Sequence, residues 1–303
     1  MNNKILAIIL NWNGISTKYK NKSILIRSIE TLNVTEPNLK LLVVDAESID
    51  NSIDYLASQK IEYLRVKNKG WAYCNNIAIK HGINKYNPKY ILLLNNDLIF
   101  NKKNWLLNMV NAFRLDNAIG IVRCELKYPN GKIQHASAFL NKRFGIIEHL
   151  HKKIKNNYVY SVTGAVILIK KDVFDKIGYF DEIYSPFNFE ETDFCRKAYK
   201  KGIFTYYISS TDITHLGNYS IGNEKVRKKW NKNKLLEIYI RNNQIFLRKH
   251  EPQYVFKNII YWLTASFIAA EPKFHIRGIR EIATRLKITL NAIKIAKEKM
   301  GSS

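Results

Sequence analysis

Four short apolar runs in the first hundred residues, at 4–10, 40–45, 61–66 and 90–97, lack the clean polar-apolar alternation of a strand with one wet face. Strands of that kind are buried on both sides. The stretches between them, 17–32, 51–58 and 71–84, have helical spacing, so the chain repeats a β-α unit and predicts a parallel, doubly wound sheet. Such sheets bind ligands outside the carboxyl ends of their strands. "NWNG" after the first strand, Asp45 after the second and "NND" (Asn95, Asn96, Asp97) after the fourth should therefore converge on one crevice, with a nucleotide as its default occupant.

Beyond residue 118 the pattern changes. "IGIVRCEL", the "YPNGK" turn, "IQHASAFL" and "VYSVTGAVILIKK" predict shorter strands, some antiparallel, followed by a short helix near Asp172, a helix over 191–200 and a strand "IFTYYI" leading to His215. From 223 onward the reading is helical: 224–249, 253–270 and 276–299. This divides the chain into a catalytic domain over 1–222 and a basic helical region over 223–303. The whole chain carries 49 Lys and Arg against 25 Asp and Glu, net +24, and residues 225–303 hold 18 basic side chains and five Glu. Thirty-seven of the basic residues are Lys, poor bidentate readers of bases or phosphates. A nucleic-acid-binding protein would interleave Arg and aromatic side chains, and no nucleic acid partner is expected. Cys74, Cys124 and Cys195 are odd in number and far apart, which excludes a disulfide scaffold or zinc finger and suggests reduced thiols in the cytoplasm. The opening "MNNKILAIILNWNG" reads as a first strand, with no small-residue cleavage site of a secretory leader.

Three places could carry chemistry. Asp97 ends a buried run, where a carboxylate is costly unless something satisfies it. It is either a turn or helix-capping aspartate or a ligand for a divalent ion that neutralises a diphosphate. Glu190, Glu191 and Asp193 crowd three carboxylates into four positions and raise one another's pKa values. The helix dipole and Arg196, three residues beyond Asp193, offer a structural explanation, better for Asp193 than for the two glutamates, which are candidates for a general base. His215 follows a strand, where an imidazole could join oxygen ligands around a hard ion. Neither G-x-G-x-x-G after the first strand nor G-x-x-x-x-G-K-[ST] occurs, so a nucleotide would be held by base contacts and a metal-bridged diphosphate.

"ILNWNG", "VVDAESIDNS", "NKGWAYCNNIAI", "YILLLNND", "TGAVILIKKDVFDKIGYFDE", "FNFEETDFCRKAYKKG" and "THLGNYS" together resemble, in order and spacing, the inverting family-two glycosyltransferases with the GT-A fold, nearest to the rhamnosyltransferase-like branch that builds bacterial surface polysaccharides. The likeness covers about 4–220. It implies an α/β fold, a Rossmann-like, mostly parallel sheet flanked by helices, with a C-terminal helical appendage. It also implies that Asp45 contacts the uracil or thymine of the donor, that Leu10 and Asn11 frame that base, and that Asn75 lies in the donor loop. Asp97 matches the last aspartate of the family's D-x-D motif, the ligand of Mg²⁺ or Mn²⁺, with Asn95 in the first position and Asn96 between them. Thr163 and Gly164 match the segment lining the sugar, and His215 a late region that closes over the diphosphate and adds an imidazole to the metal.

Glu191 falls on the second residue of the family's Glu-Asp pair, the general base, with Glu in place of Asp, so that either Glu191 or Glu190 takes the role. Trp71 and Tyr73 replace smaller residues, narrowing the donor pocket or simply packing in the core. The activity implied is transfer of a sugar, rhamnose or another deoxysugar first, from a dTDP- or UDP-linked donor to an oligosaccharide or lipid-linked acceptor. A nucleotidyltransferase with a similar sheet is the alternative, though "NWNG" lacks the basic loop it would need. The apolar stretch 258–270, with Tyr261 and Trp262, and the basic residues after it either rest on an anionic membrane surface at the inner face of the cytoplasmic membrane or pack against the catalytic domain or a second subunit of a homodimer.

Overall fold

The computed structural model describes residues 4–217, 231–267 and 279–301. The first half runs β1 (Ile5–Asn11), β2 (Lys18–Tyr19), β3 (Lys22–Ser23), α1 (Ile24–Thr35), β4 (Lys40–Ala46), α2 (Ser52–Ser58), β5 (Tyr63–Val66), α3 (Trp71–Tyr86), β6 (Tyr90–Asn95), β7 (Leu98–Phe100) and α4 (Trp105–Ala112). Then come β8 (Ile119–Lys127), β9 (Ile133–His135), β10 (Ser137–Asn141), β11 (Ile146–Leu150), β12 (Asn157–Tyr158), β13 (Val166–Lys170), α5 (Lys171–Ile177), α6 (Glu190–Tyr199) and β14 (Phe204–His215). Three helices follow, α7 (Lys232–His250), α8 (Val255–Phe267) and α9 (Ile279–Gly301).

The main sheet has the order β12-β14-β8-β13-β6-β1-β4-β5, with β7 paired to β14 and β9 to β8. β1 is parallel to β4 and β6, β4 to β5 and β14 to β8, while β13 runs antiparallel between β6 and β8. The absence of alternation in the first strand has its cause here. Ile5, Ala7 and Ile9 face one core and Leu6 and Ile8 the other, so both faces of β1 leave water. The antiparallel β13 brings the residues just before it, 163–165, to the edge where β6 ends.

The first crossover helix starts later than its spacing predicts. Lys20 and Asn21 both have positive φ (47° and 61°), which closes the β2–β3 hairpin and delays α1 to Ile24. Asn87, left-handed at φ 41°, closes α3. The part of the 224–249 helix that precedes 231 lies outside the described residues, as do 268–278, so α8 is described to Phe267 and α9 from Ile279. The 222/223 boundary falls in the same gap.

Beyond it, α7 shares a core with the part of the chain before it, where Ile245, Phe246 and Leu247 meet Tyr184, Phe189 and Ile147. Tyr261 and Trp262, expected at a lipid headgroup boundary, pack instead on Phe144 (4.8 Å between ring centres) and Tyr239 (5.9 Å). The apolar side chains that α8 turns outward are Phe256 and Ile260, one helical turn apart. No helix among the described residues is long and apolar enough to cross a membrane. The three cysteines are buried free thiols, as their spacing predicts.

Candidate active site

Strand register brings the predicted residues to one edge. Leu10 sits opposite Asn95, and Asn11 opposite Asp45, at the carboxyl ends of three adjacent parallel strands. The Asn11 amide donates to Asp45 Oδ2 (2.9 Å), Asn96 Nδ2 donates to Asn11 Oδ1 (2.8 Å), and the Ser48 N–H donates to Asp45 Oδ1 (2.9 Å). Asp45 is fully buried, and each of its oxygens already accepts a hydrogen bond. Asp45 thus ties the end of β1 to the turn after β4, and each of its oxygens keeps one further acceptor site. Asp50 does the same nearer the surface, accepting from the N–H groups of Ile15 (2.9 Å) and Ser16 (2.7 Å). Asn75, expected in the donor loop, is buried and turns its amide back to the Trp71 carbonyl (2.9 Å) within α3.

Asp97 and His215 come together through strand pairing, since His215 at the end of β14 lies opposite Leu98 of β7. His215 Nε2 is 3.1 Å from Asp97 Oδ1, and Nε2 is also 3.4 Å from the Asn95 amide. Gln134, which no sequence signal singled out, orients the ring: its Oε1 lies 2.6 Å from His215 Nδ1, and its Nε2 is 3.5 Å from the His215 carbonyl. That amide orientation assigns a proton to Nδ1 and directs Nε2 at the carboxylate. Asp97 Oδ1 is buried and accepts no hydrogen bond. A carboxylate oxygen facing an imidazole lone pair is repulsive unless a proton or a cation lies between them, and with a cation there the two atoms are the kinds of ligand a divalent ion takes. Among the described residues no third His, Cys, Asp or Glu completes a protein cage. A hard ion here would draw its remaining oxygens from ligand phosphate and water.

Beside the segment that precedes β13, α6 begins with the two glutamates. Glu190 is 1% exposed, its Oε1 has no hydrogen-bond partner among the described residues, and burial followed by the charge of Glu191 pushes its pKa well above the ordinary carboxylate range. Glu191 keeps part of its surface open. Burial raises its pKa too, opposed by backbone N–H groups of Glu191 and Gly164 and by the charge of Arg123. Gly164 is required there. A Cβ on it would stand 2.4 Å from Glu191 Oε1 and 2.7 Å from the Trp71 ring.

Trp71 therefore lines the same spot as Glu191 while packing edge-on against Phe180 (4.9 Å), so it belongs to both the pocket wall and the core. Thr163 precedes Gly164 and is half-buried, and the Ala165 carbonyl accepts the Asn95 N–H (3.0 Å), linking this rim to the Asp97 side. Arg123 on β8, another residue the sequence did not single out, is fully buried and hydrogen-bonds His135, and burial lowers its pKa to about 10.

Asp193 has a structural role, as its position suggested, but with other partners. Arg196 turns to Glu251 (2.7 Å). Asp193 instead receives Lys249 (2.5 Å), His250 (2.8 Å) and the Tyr184 hydroxyl (2.9 Å). Burial alone would raise its carboxyl; His250 and Lys249 hold it down at about 2.

A family model described as glycosyl transferase family 2 matches residues 15–178, more than half of the chain. Among curated proteins, the low-salt glycan biosynthesis hexosyltransferase Agl10 of Haloferax volcanii is 25% identical over 186 residues, 58% of this chain and 58% of that protein. The uncharacterized protein y4gI of Sinorhizobium fredii is 26% identical over 63% of this chain. The chain spans 23% of its length, so both relatives extend well beyond the matched part.

Of solved structures, GalNAc-T7 with UDP, GalNAc and Mn²⁺ superposes with a TM-score of 0.62 at 13% identity, covering 98% of this chain and 56% of that one. Residues 1–349 of Staphylococcus aureus TarS with UDP-GlcNAc give 0.56 at 14%, covering 97% and 81%. The mannosyltransferase PcManGT of Pyrobaculum calidifontis with GDP-Man and Mn²⁺ gives 0.50 at 12%, covering 99% and 74%. At these identities the likeness is one of fold.

Proposed function

The chain belongs to glycosyl transferase family 2, and on that footing we propose that it moves a sugar, with inversion, from a nucleoside-diphosphate donor to a hydroxyl of a glycan or lipid-linked acceptor. The observation that carries the reading is the nearness of two unlike groups at the strand ends, the Asp97–His215 pair and Glu191 beside Gly164 and Trp71, joined through the hydrogen bond from the Asn95 N–H to the Ala165 carbonyl.

Asp97 Oδ1 and His215 Nε2 would hold the Mg²⁺ or Mn²⁺ that neutralises the diphosphate as it leaves. Two structural neighbours hold Mn²⁺ together with UDP or a GDP-sugar, in keeping with that choice. Gln134 keeps the imidazole turned toward Asp97. Glu191 is the general base. It is the more open of the two glutamates, and a carboxylate with a raised pKa is a better proton acceptor than an ordinary one. Its Oε takes the proton of the acceptor hydroxyl as the oxygen attacks the anomeric carbon, and the bond to the donor phosphate oxygen breaks. Attack from the face opposite the leaving group inverts the anomeric centre. Glu190, almost wholly buried and with its pKa raised by that burial and by Glu191, is closed to the acceptor and does not take the proton.

The donor that follows from the sequence likeness is a dTDP- or UDP-linked sugar, rhamnose or another deoxysugar first. A lipid-linked acceptor would place the enzyme at the inner face of the cytoplasmic membrane, where Phe256 and Ile260 on α8 give an apolar contact and the Lys-rich C-terminal helices an electrostatic one. The test is a transfer screen over nucleotide-sugar donors with Mg²⁺ or Mn²⁺, followed by analysis of the anomeric configuration of the product. Release of the nucleoside diphosphate with a glycosylated acceptor of inverted configuration is expected; a retained configuration, or no transfer from any donor, refutes the proposal.

A further inference from the structure

The loop that delivers the two glutamates is shaped by a helix outside the stretch that the family model matches. Asn188 and Phe189, the residues just before α6, both have positive φ (76° and 80°), a conformation that a bulky residue such as Phe holds only when its surroundings impose it. The surroundings come from α7. Asn242 is fully buried, and its single amide group donates to three carbonyls of this loop, those of Tyr184 (2.8 Å), Phe187 (2.9 Å) and Asn188 (2.9 Å). Two hydrogens serve three acceptors, so one is shared, and no other side chain of that size could fill the position without leaving buried carbonyls unpaired.

Arg241 completes the anchor. Its Nε donates to Asn242 Oδ1 (2.8 Å), which fixes which end of the amide faces the loop, and its Nη2 donates to the carbonyls of Ser185 (2.6 Å) and Tyr184 (3.3 Å). One helical turn to either side, Tyr239 and Phe246 close on the Phe189 ring (5.4 and 5.7 Å), seating the side chain whose backbone is forced left-handed.

We propose that Arg241 and Asn242 are positioning residues for the base: they hold the 184–189 loop so that α6 presents Glu191 beside Gly164 and keeps Glu190 beneath it. The proposal rests on Glu191 being the base, and it assigns the basic C-terminal region a part in the reaction beyond supplying charge. Neither residue touches the Asp97–His215 rim. The anchor therefore governs proton removal from the acceptor and leaves donor binding alone.

The experiment compares Asn242→Ala, Arg241→Lys and Arg241→Gln with wild type in the full chain. Three quantities are read: amide hydrogen exchange of 188–195 and of the β1, β4 and β6 strand ends, affinity for UDP and dTDP with Mn²⁺ by calorimetry, and kcat with the donor found in the transfer screen. Asn242→Ala should speed exchange at least tenfold in 190–193 only, leave nucleotide affinity within about twofold, and lower kcat at least tenfold. Arg241→Gln, which removes the guanidinium donors to the Ser185 and Tyr184 carbonyls, should speed the same exchange and lower kcat at least threefold with nucleotide affinity within about twofold. Arg241→Lys, which keeps one cationic donor, should fall between Arg241→Gln and wild type.

Unchanged exchange in 190–193, or a loss of nucleotide affinity that parallels the loss of kcat, would each overturn the proposal. Should Asn242→Ala fail to fold, the two Arg241 variants decide alone. A wild-type protein that transfers no sugar would refute the proposed function, and the exchange measurement would still judge the anchor.

Discussion

Replacing Gly164 with Ala adds one methyl group at the point where Glu191 and Trp71 press closest on the backbone. The new Cβ would lie 2.4 Å from Glu191 Oε1, whereas ordinary contact begins at 3.4 Å, so the carboxylate must retreat by about 1 Å. Trp71 Cζ2, at 2.7 Å, must give about 0.7 Å, and it is backed by Phe180 and tied through its own N–H to the Pro186 carbonyl. Gly164 has no positive φ, so the cost is crowding rather than backbone strain. Overpacking of this size destabilises by roughly 1–3 kcal/mol, and a base displaced by about 1 Å from its line of attack loses on the order of 10²-fold in turnover.

The companion variant is Gly131→Ala, in the turn whose Gly131 N–H reaches Tyr128 (2.9 Å): a Cβ there meets nothing, but φ is +79°. It should lose roughly 1–2 kcal/mol through strain alone. Thermal unfolding is expected to fall by a few degrees in both variants. Steady-state transfer should collapse only in Gly164→Ala, with calorimetric UDP–Mn²⁺ binding unchanged in each. Turnover within twofold of wild type in Gly164→Ala would refute the placement of Glu191 at the reacting hydroxyl.

Glu191→Gln should lower kcat by about 10²-fold or more while Glu190→Gln stays milder; because burial raises both carboxyls, the acid limb of the wild-type rate should lie above pH 4.5, and the opposite ranking in steady-state assays moves the base to Glu190. Asp97→Ala should abolish metal-dependent binding of UDP and dTDP in calorimetry with the fold intact by circular dichroism, and retained Mn²⁺-dependent binding contradicts its role. Asp193, held down at about 2, stabilises the fold above its unfolded pKa, and that contribution is lost as pH falls from about 4 towards 2; it amounts to about 2 kcal/mol, and Asp193→Asn should flatten the acid side of a thermal-unfolding series. Flotation should carry the protein with anionic vesicles but not neutral ones, less at high salt, and the double change Phe256→Ser with Ile260→Ser should release it; equal recovery with both lipids argues for a packing role.

The strands and most helices were legible because their signal is local. An apolar run without alternation means burial on both faces wherever it lies in the sheet, and β1, β4 and β6 obey that rule. The convergence of Asn11, Asp45, Asn95 and Asp97 at one edge also follows from the sequence, since parallel strands end on the same side. Asp193 as a structural carboxylate was legible from its place in the first turn of α6, though its partners were not.

What each of these side chains does was decided by residues far along the chain. Asp45 is held by Asn11, 34 positions earlier, and Asp97 is aimed by His215 and Gln134, which reach it through the β14–β7 pairing and a side-chain amide. Glu190 and Glu191 are neighbours of the same chemistry; one is buried and the other partly open because the 184–189 loop takes two left-handed residues that Asn242 fixes from α7. Local sequence determines which backbone a segment prefers. The charge state and direction of a buried polar group depend on which donors surround it, and only the closed fold brings Lys249 and His250 onto Asp193, or α7 onto the loop before α6.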